Sequence, residues 1–120
     1  MPFVTRKAVR QMLMQTAVLD KIEREQLPVD TSEVRQCLHT VREQVRGTSS
    51  LTYVQRWEKL LDTGDPGLIR RVVLADDESG REMRNLSPLG VLLTEAERLG
   101  VLDRMSAALR EHHSEPAGSP

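Results

Sequence analysis

The chain has 120 residues, 38% of them hydrophobic and 29% charged, with a net charge of −1 and a single cysteine. That length suits one domain with one core. The charge balance excludes the global cationic field of a general nucleic-acid binder, and one cysteine excludes an internal disulfide and fits a reducing compartment. There is no apolar stretch of about 18 residues and no signal-peptide pattern, so the expectation is a cytoplasmic protein that does not enter a membrane.

Phe3, Tyr53 and Trp57 are the only aromatic residues. The core must therefore come from Leu, Val, Ile, Met and Ala, and the Leu and Met content leans towards helix. Residues 1–60 hold 10 Lys/Arg against 7 Asp/Glu, and residues 61–120 hold 7 against 11, a mild polarity along the chain.

The first helix is expected over 5–26. Thr5 can cap it, Val9, Met12, Leu13, Thr16, Ala17, Leu19 and Ile22 recur at helical spacing, and Pro28 stops it. A second helix over 31–46 is announced by Asp30 with Glu33 three residues on, a capping-box spacing. Its apolar stripe is Val34, Cys37, Leu38, Val41 and Val45, and Gly47 is the expected residue beyond its end. Ser49 or Ser50 caps a third helix over 50–63, with Val54, Trp57, Leu60 and Leu61 inward and Gly64 closing it.

Asp65-Pro66 has the form of an N-cap followed by a first-turn proline, opening a fourth helix over 66–75 with Leu68, Ile69, Val72 and Val73 inward. Val72-Val73-Leu74 is also compatible with a short strand. Asp76-Asp77-Glu78-Ser79-Gly80 has the composition of a solvated loop, with short helical turns over 81–92 after it. Thr94, followed by Glu97, caps the last helix over 94–111, with Leu99, Leu102, Met105 and Leu109 inward. The expected fold is all-α: an irregular, orthogonal bundle of about five helices, with short helical turns before the last. It forms a single domain over 1–111, and a disordered tail follows over 112–120.

None of the chemically suggestive clusters amounts to a catalytic, cofactor or metal site. The DTGDPG segment at 62–67 lacks the alternating oxygen ligands of a calcium loop and is explained by a helix stop joined to a helix start. Asp76, Asp77, Glu78 and Glu82 have no glycine-rich phosphate loop to work with. Cys37 and His39, two apart on a helix, point to different faces and cannot act as a pair. The expectation is that the protein is not an enzyme and needs no cofactor.

Two surfaces remain as candidates for contact. Within Met83–Met105, the run from Leu86 to Leu93 holds more apolar residues than one helical stripe consumes. Either it plugs the end of the bundle, or part of it is exposed and meets a partner. In the second case Arg84, Leu89, Val91, Leu92 and Arg98 form a protein-binding surface, with Arg81 beside them. A small bacterial-type regulator, adaptor or antitoxin-like protein is the class this suggests, and a second copy of the chain is one candidate partner. The alternative is a nucleic-acid-binding regulator. Arg35, His39, Arg42 and Arg46 fall at i, i+4, i+7 and i+11 beside the apolar stripe of the second helix, and could follow a phosphate backbone. Arg70 and Arg71 would serve instead if helices three and four formed a helix-turn-helix-like pair. A solvated face, diluted by Glu33 and Glu43, is the competing account of the Arg stripe.

Overall fold

Gln15, Val18, Leu19 and Ile22, spaced i, i+3, i+4 and i+7, are the buried residues of the first helix, around which the others are laid. The computed structural model describes residues 5–114, and side chains as far as Arg110. The elements are α1 (Arg6–Glu25), α2 (Ser32–Gln44), α3 (Thr48–Thr63), α4 (Pro66–Val73), α5 (Glu78–Asn85), a 3-10 turn (Leu89–Leu92) and α6 (Glu95–Ser114). The protein is an all-α bundle, with no strand among the described residues. α1 packs against α4, α5, α6 and the 3-10 turn; α2 packs against α3 and the same turn; α5 lies against both α3 and α4.

Trp57 on α3 is fully enclosed, surrounded in the core by residues such as Val54, Leu61, Ile69, Met83 and Leu89. Its indole Nε1 donates to the Met83 carbonyl at 2.9 Å. That bond lets the largest side chain in the protein bury its one polar atom without penalty.

Several helix boundaries obey local chemistry. Thr5 Oγ1 accepts from the Ala8 N–H. Asp65 accepts from the N–H groups of Gly67 and Leu68, with Pro66 next to it. Gly64 ends α3 in the left-handed conformation at φ 62°. Val72 and Val73 close α4 as helix, with Leu74 as its C-cap, so the short-strand alternative at 72–74 is not realised.

Others differ from expectation. The cap of α2 is Thr31, whose hydroxyl accepts from Val34 N–H, and Asp30 instead pairs with Arg35. Gly47 does not terminate α2, which is capped at Val45. It is the N-cap of α3, at φ 89° and with no side-chain cap bond, so that helix begins at Thr48 rather than after Ser49 or Ser50. The acidic segment at 76–80 is not a loop throughout. Asp77 Oδ1 accepts from Gly80 N–H at 2.7 Å, and α5 starts at Glu78. The inward stripe of α6 also shifts: Val101 and Met105 are buried, while Leu99 is half exposed. On α1 the buried stripe centres on Gln15 and Val18, with Val9, Met12 and Leu13 only half-buried. α6 continues through Ser114, and residues 115–120, the rest of the expected tail, lie outside the described residues.

Gly80 is buried because α5 is pressed onto the end of α4. A Cβ at this position would lie 2.1 Å from the Ala75 carbonyl oxygen and 2.9 Å from its carbon. Gly100 on α6 has nothing within 4 Å of the equivalent point. Gly80→Ala should therefore destabilise the protein by about 2 kcal/mol or more through forced separation of α4 and α5. Gly100→Ala should stabilise it by about 0.5–1 kcal/mol through helix propensity. Urea titrations of the two variants would show midpoints moving in opposite directions.

Candidate functional site

The apolar run before α6 is mostly core. Leu89 is fully buried, Leu86 and Leu93 are buried, and Leu92 is half-buried and packed against the core cluster. Within the 3-10 turn, Leu89 and Leu92, three residues apart, share the inward face, with Ser87 Oγ accepting from Leu89 N–H at its start. Val91 is the exception, 48% exposed, and Leu99 one helix-start later is 50% exposed. Of the five expected contact residues, Leu89 and Arg84 are consumed by the fold. Arg84 is buried, and its Nη1 donates to the carbonyls of Val73 and Ala75 at 2.8 and 2.9 Å. Val91, the outer part of Leu92 and Arg98 remain at the surface.

The candidate phosphate-binding cations are largely engaged with carboxylates. Arg35 pairs with Asp30 and reaches across to Asp62 on α3 at 2.7 Å. Arg42 pairs with Glu58 on α3, and Arg70 on α4 with Asp20 and Glu23 on α1. His39 sits 3.3 Å from Glu43 one turn away. Only Arg46 and Arg71 of this set have no ion-pair partner among the described residues. The arginines of α2 and α4 act mainly as struts between helices.

α6 runs antiparallel along α1. Lys21 meets Glu97 near the start of α6, whereas Arg10 and Met14 face Leu102 further along it. A groove opens on each flank of this pair. One, of about 360 Å3, is lined by Asp20, Lys21, Arg24, Glu97 and Arg104 among others, and its charges of both signs lie side by side. The other, of about 350 Å3, has Met14, Leu93 and Leu102 as apolar lining and Arg10 and Arg98 as its charged residues, with no carboxylate. Arg10 has no ion-pair partner among the described residues, and Arg98 makes only a 3.7 Å contact with exposed Glu95.

Gln15 belongs to this second groove. It is 6% exposed, and its Oε1 is enclosed with no hydrogen-bond donor. A buried amide acceptor left unpaired costs about 1–3 kcal/mol. Mid-helix on an inward face, a glutamine gives no sequence signal of this kind, because its burial depends on where α6 lies. Lys21 is silent in the sequence for the same reason. Its Nζ donates to both the Leu92 carbonyl at 2.8 Å and Glu97 Oε1 at 2.7 Å, joining α1 to the entry of α6.

The titratable groups that could carry chemistry stand apart. Cys37 is half-buried, and burial raises its thiol above the ordinary value, which disfavours the nucleophilic thiolate. Among the described residues, no group of three or more His, Cys, Asp or Glu side chains is placed to hold a metal ion. No helix among them is long and apolar enough to cross a membrane. Comparison with known protein families, curated proteins and solved structures finds no match to the chain.

Thr94 and Glu97 form the reciprocal capping box expected from their spacing. Thr94 Oγ1 accepts from Glu97 N–H at 3.1 Å, and Glu97 Oε1 accepts from Thr94 N–H at 2.8 Å. The Lys21 ammonium, followed by the Thr94 backbone bond, pulls the Glu97 carboxyl down to about 2. Since the folded value lies below the unfolded one, its stabilising contribution is complete above the ordinary carboxylate value near 4.5 and is lost as pH falls towards 2. Thermal melts between pH 5 and 2 should therefore decline less steeply for Glu97→Gln than for the unaltered protein. Equal slopes would show that Glu97 is not held by Lys21 in solution.

Proposed function

We propose that this chain is a protein-binding helical module, a regulator, adaptor or antitoxin-like partner that acts by contact and occlusion rather than by catalysis. The observation that carries the reading is the contrast between its cations and its exposed apolar residues. Most candidate phosphate-binding arginines are satisfied by carboxylates, whereas Val91 and Leu99 stand about half exposed, each next in the chain to a residue, Gly90 or Arg98, that lines a groove with an apolar floor. Apolar side chains exposed next to a concave surface mark interaction sites. The contact surface consists of Val91, the outer edge of Leu92, Arg98 and Leu99. The raised thiol value at Cys37, which keeps it in the unreactive form, supports a non-enzymatic role. The lone cysteine fits a cytoplasmic location.

Affinity capture from extracts of the native host, with the unaltered chain and a Val91→Asp/Leu99→Asp variant side by side, tests the reading. A protein retained in stoichiometric amount by the first and lost by the second, with melting curves within about 0.5 kcal/mol of each other, is the expected result. Leu89→Asp serves as the contrast, since a carboxylate at that enclosed position should abolish folding itself. Retention of the chain on duplex DNA that weakens with salt and disappears in Arg46→Ala/Arg71→Ala would instead establish the nucleic-acid alternative.

A further inference from the structure

The groove between α1 and α6 that holds Gln15 is more than an apolar hollow. Its two charged residues, Arg10 and Arg98, are both cationic, and no carboxylate lines it. The bias extends beyond the groove. Arg6 and Lys7 occupy the first turn of α1, where a helix prefers acidic side chains, and no Asp or Glu precedes Asp20 in the chain. Arg6, Lys7 and Arg10 have no ion-pair partner among the described residues. On the opposite flank of α6, Asp20 and Glu97 offset part of the charge of Lys21, Arg24 and Arg104, so the complete lack of a carboxylate is particular to this side.

The second observation is the Gln15 amide. It is more than nine-tenths buried, lines the same groove, and its Oε1 has no donor. Oε1 is enclosed as it stands, and peptide binding would have to turn the amide about its soft terminal torsion before it could accept from a peptide N–H and donate to a carbonyl. The remaining lining, Met14, Leu93 and Leu102, suits an aliphatic side chain. A volume of about 350 Å3 lies at the small end of ligand pockets, room for one or two side chains rather than a cofactor.

We infer that this groove binds an acidic, apolar-anchored peptide segment of a partner protein: one aliphatic side chain against Met14 and Leu102, a carboxylate between Arg10 and Arg98, and backbone amide bonding to Gln15. This rests on the protein-binding reading above and names the chemistry of the partner. Arg6, Lys7 and Arg10 would also serve repeating phosphates; what favours a peptide is the apolar floor of Met14, Leu93 and Leu102, for which a phosphate backbone has no use.

The test is selection from a random peptide library of about 12 residues displayed against the full chain, followed by affinity measurement on a synthesised winner. Enriched sequences should pair Asp or Glu with Leu, Ile, Val or Phe. Arg10→Glu/Arg98→Glu should weaken the winner about tenfold or more, and replacing its acidic residue by Lys should restore part of the loss. Gln15→Met, which keeps the side-chain volume, should weaken it about threefold or more while the melt stays unchanged or rises. Enrichment of neutral or basic peptides, or of none, overturns the inference, as does indifference to the Arg10/Arg98 exchange. A winner lost in Val91→Asp/Leu99→Asp but indifferent to the arginine exchange would remove the groove assignment and leave the protein-binding reading standing. Absence of both selected peptides and host partners would remove both. Duplex DNA binding abolished by the arginine exchange would replace the peptide with a nucleic acid.

Discussion

Arg84 holds the arrangement of α4 and α5, and through them the centre of the bundle. The last carbonyls of a helix have no intrahelical donor. At the end of α4 that shortfall is met from inside the protein by the Arg84 guanidinium, which serves both Val73 and Ala75. Burial lowers its proton affinity, and the nearby charges of Asp76 and Asp77 oppose that effect. A cation at the negative end of a helix is also favoured by the aligned peptide dipoles. With this contact in place Gly80 comes against Ala75, Met83 is enclosed, and the Met83 carbonyl is set to receive the Trp57 indole. Two hydrogen-bonded side chains thus tie α3, α4 and α5 together around one core.

The remaining arginines divide by their neighbours. Arg35, Arg42 and Arg70 each reach from one helix to a carboxylate on another. Such partly exposed pairs contribute little stability individually, about 0–1 kcal/mol, but they cancel charge where they stand. A row of cations at helical spacing therefore does not imply a cationic surface. The field is left uncompensated at the start of α1, where the sequence supplies bases and no acids over a long interval.

What the sequence discloses depends on the range of the interaction. The all-α class, the Thr5, Asp65 and Thr94 caps, and the Gly64 stop follow from residues within four positions of one another, and the structure has them. Thr31 in place of Asp30 as cap is a local miss of one residue, decided by Arg35 claiming Asp30 from five positions away. Most of the larger departures are long-range. Gly80 and Ser79 have turn composition, yet they let α5 approach Ala75. Arg84 looks like a surface cation until its distant carbonyls are known. In the contact surface, Leu89 and Val91 are indistinguishable by hydropathy, and only the tight winding of the 3-10 turn sends one inward and the other out. Gln15 could be located only once α6 had been placed against α1.

The two grooves beside α6 share one geometric origin. α6 leans chiefly on α1, whereas α1 has neighbours on several sides. A helix supported along a single line leaves a furrow on each flank, and its apolar residues need not all find cover. Val101 and Met105 are buried on the supported side, outside the main core cluster, and Leu99 is left on the open one. The capping box and Lys21 anchor the first turn of α6 strongly, which fixes its rotation at that point. Glu97, Val101 and Met105 follow at steps of four along the face turned to α1, so Leu99, two residues off that line, must face outward. The exposed leucine is thus a consequence of how α6 is anchored, and the anchoring polar contact determines which apolar side chains are left for a partner.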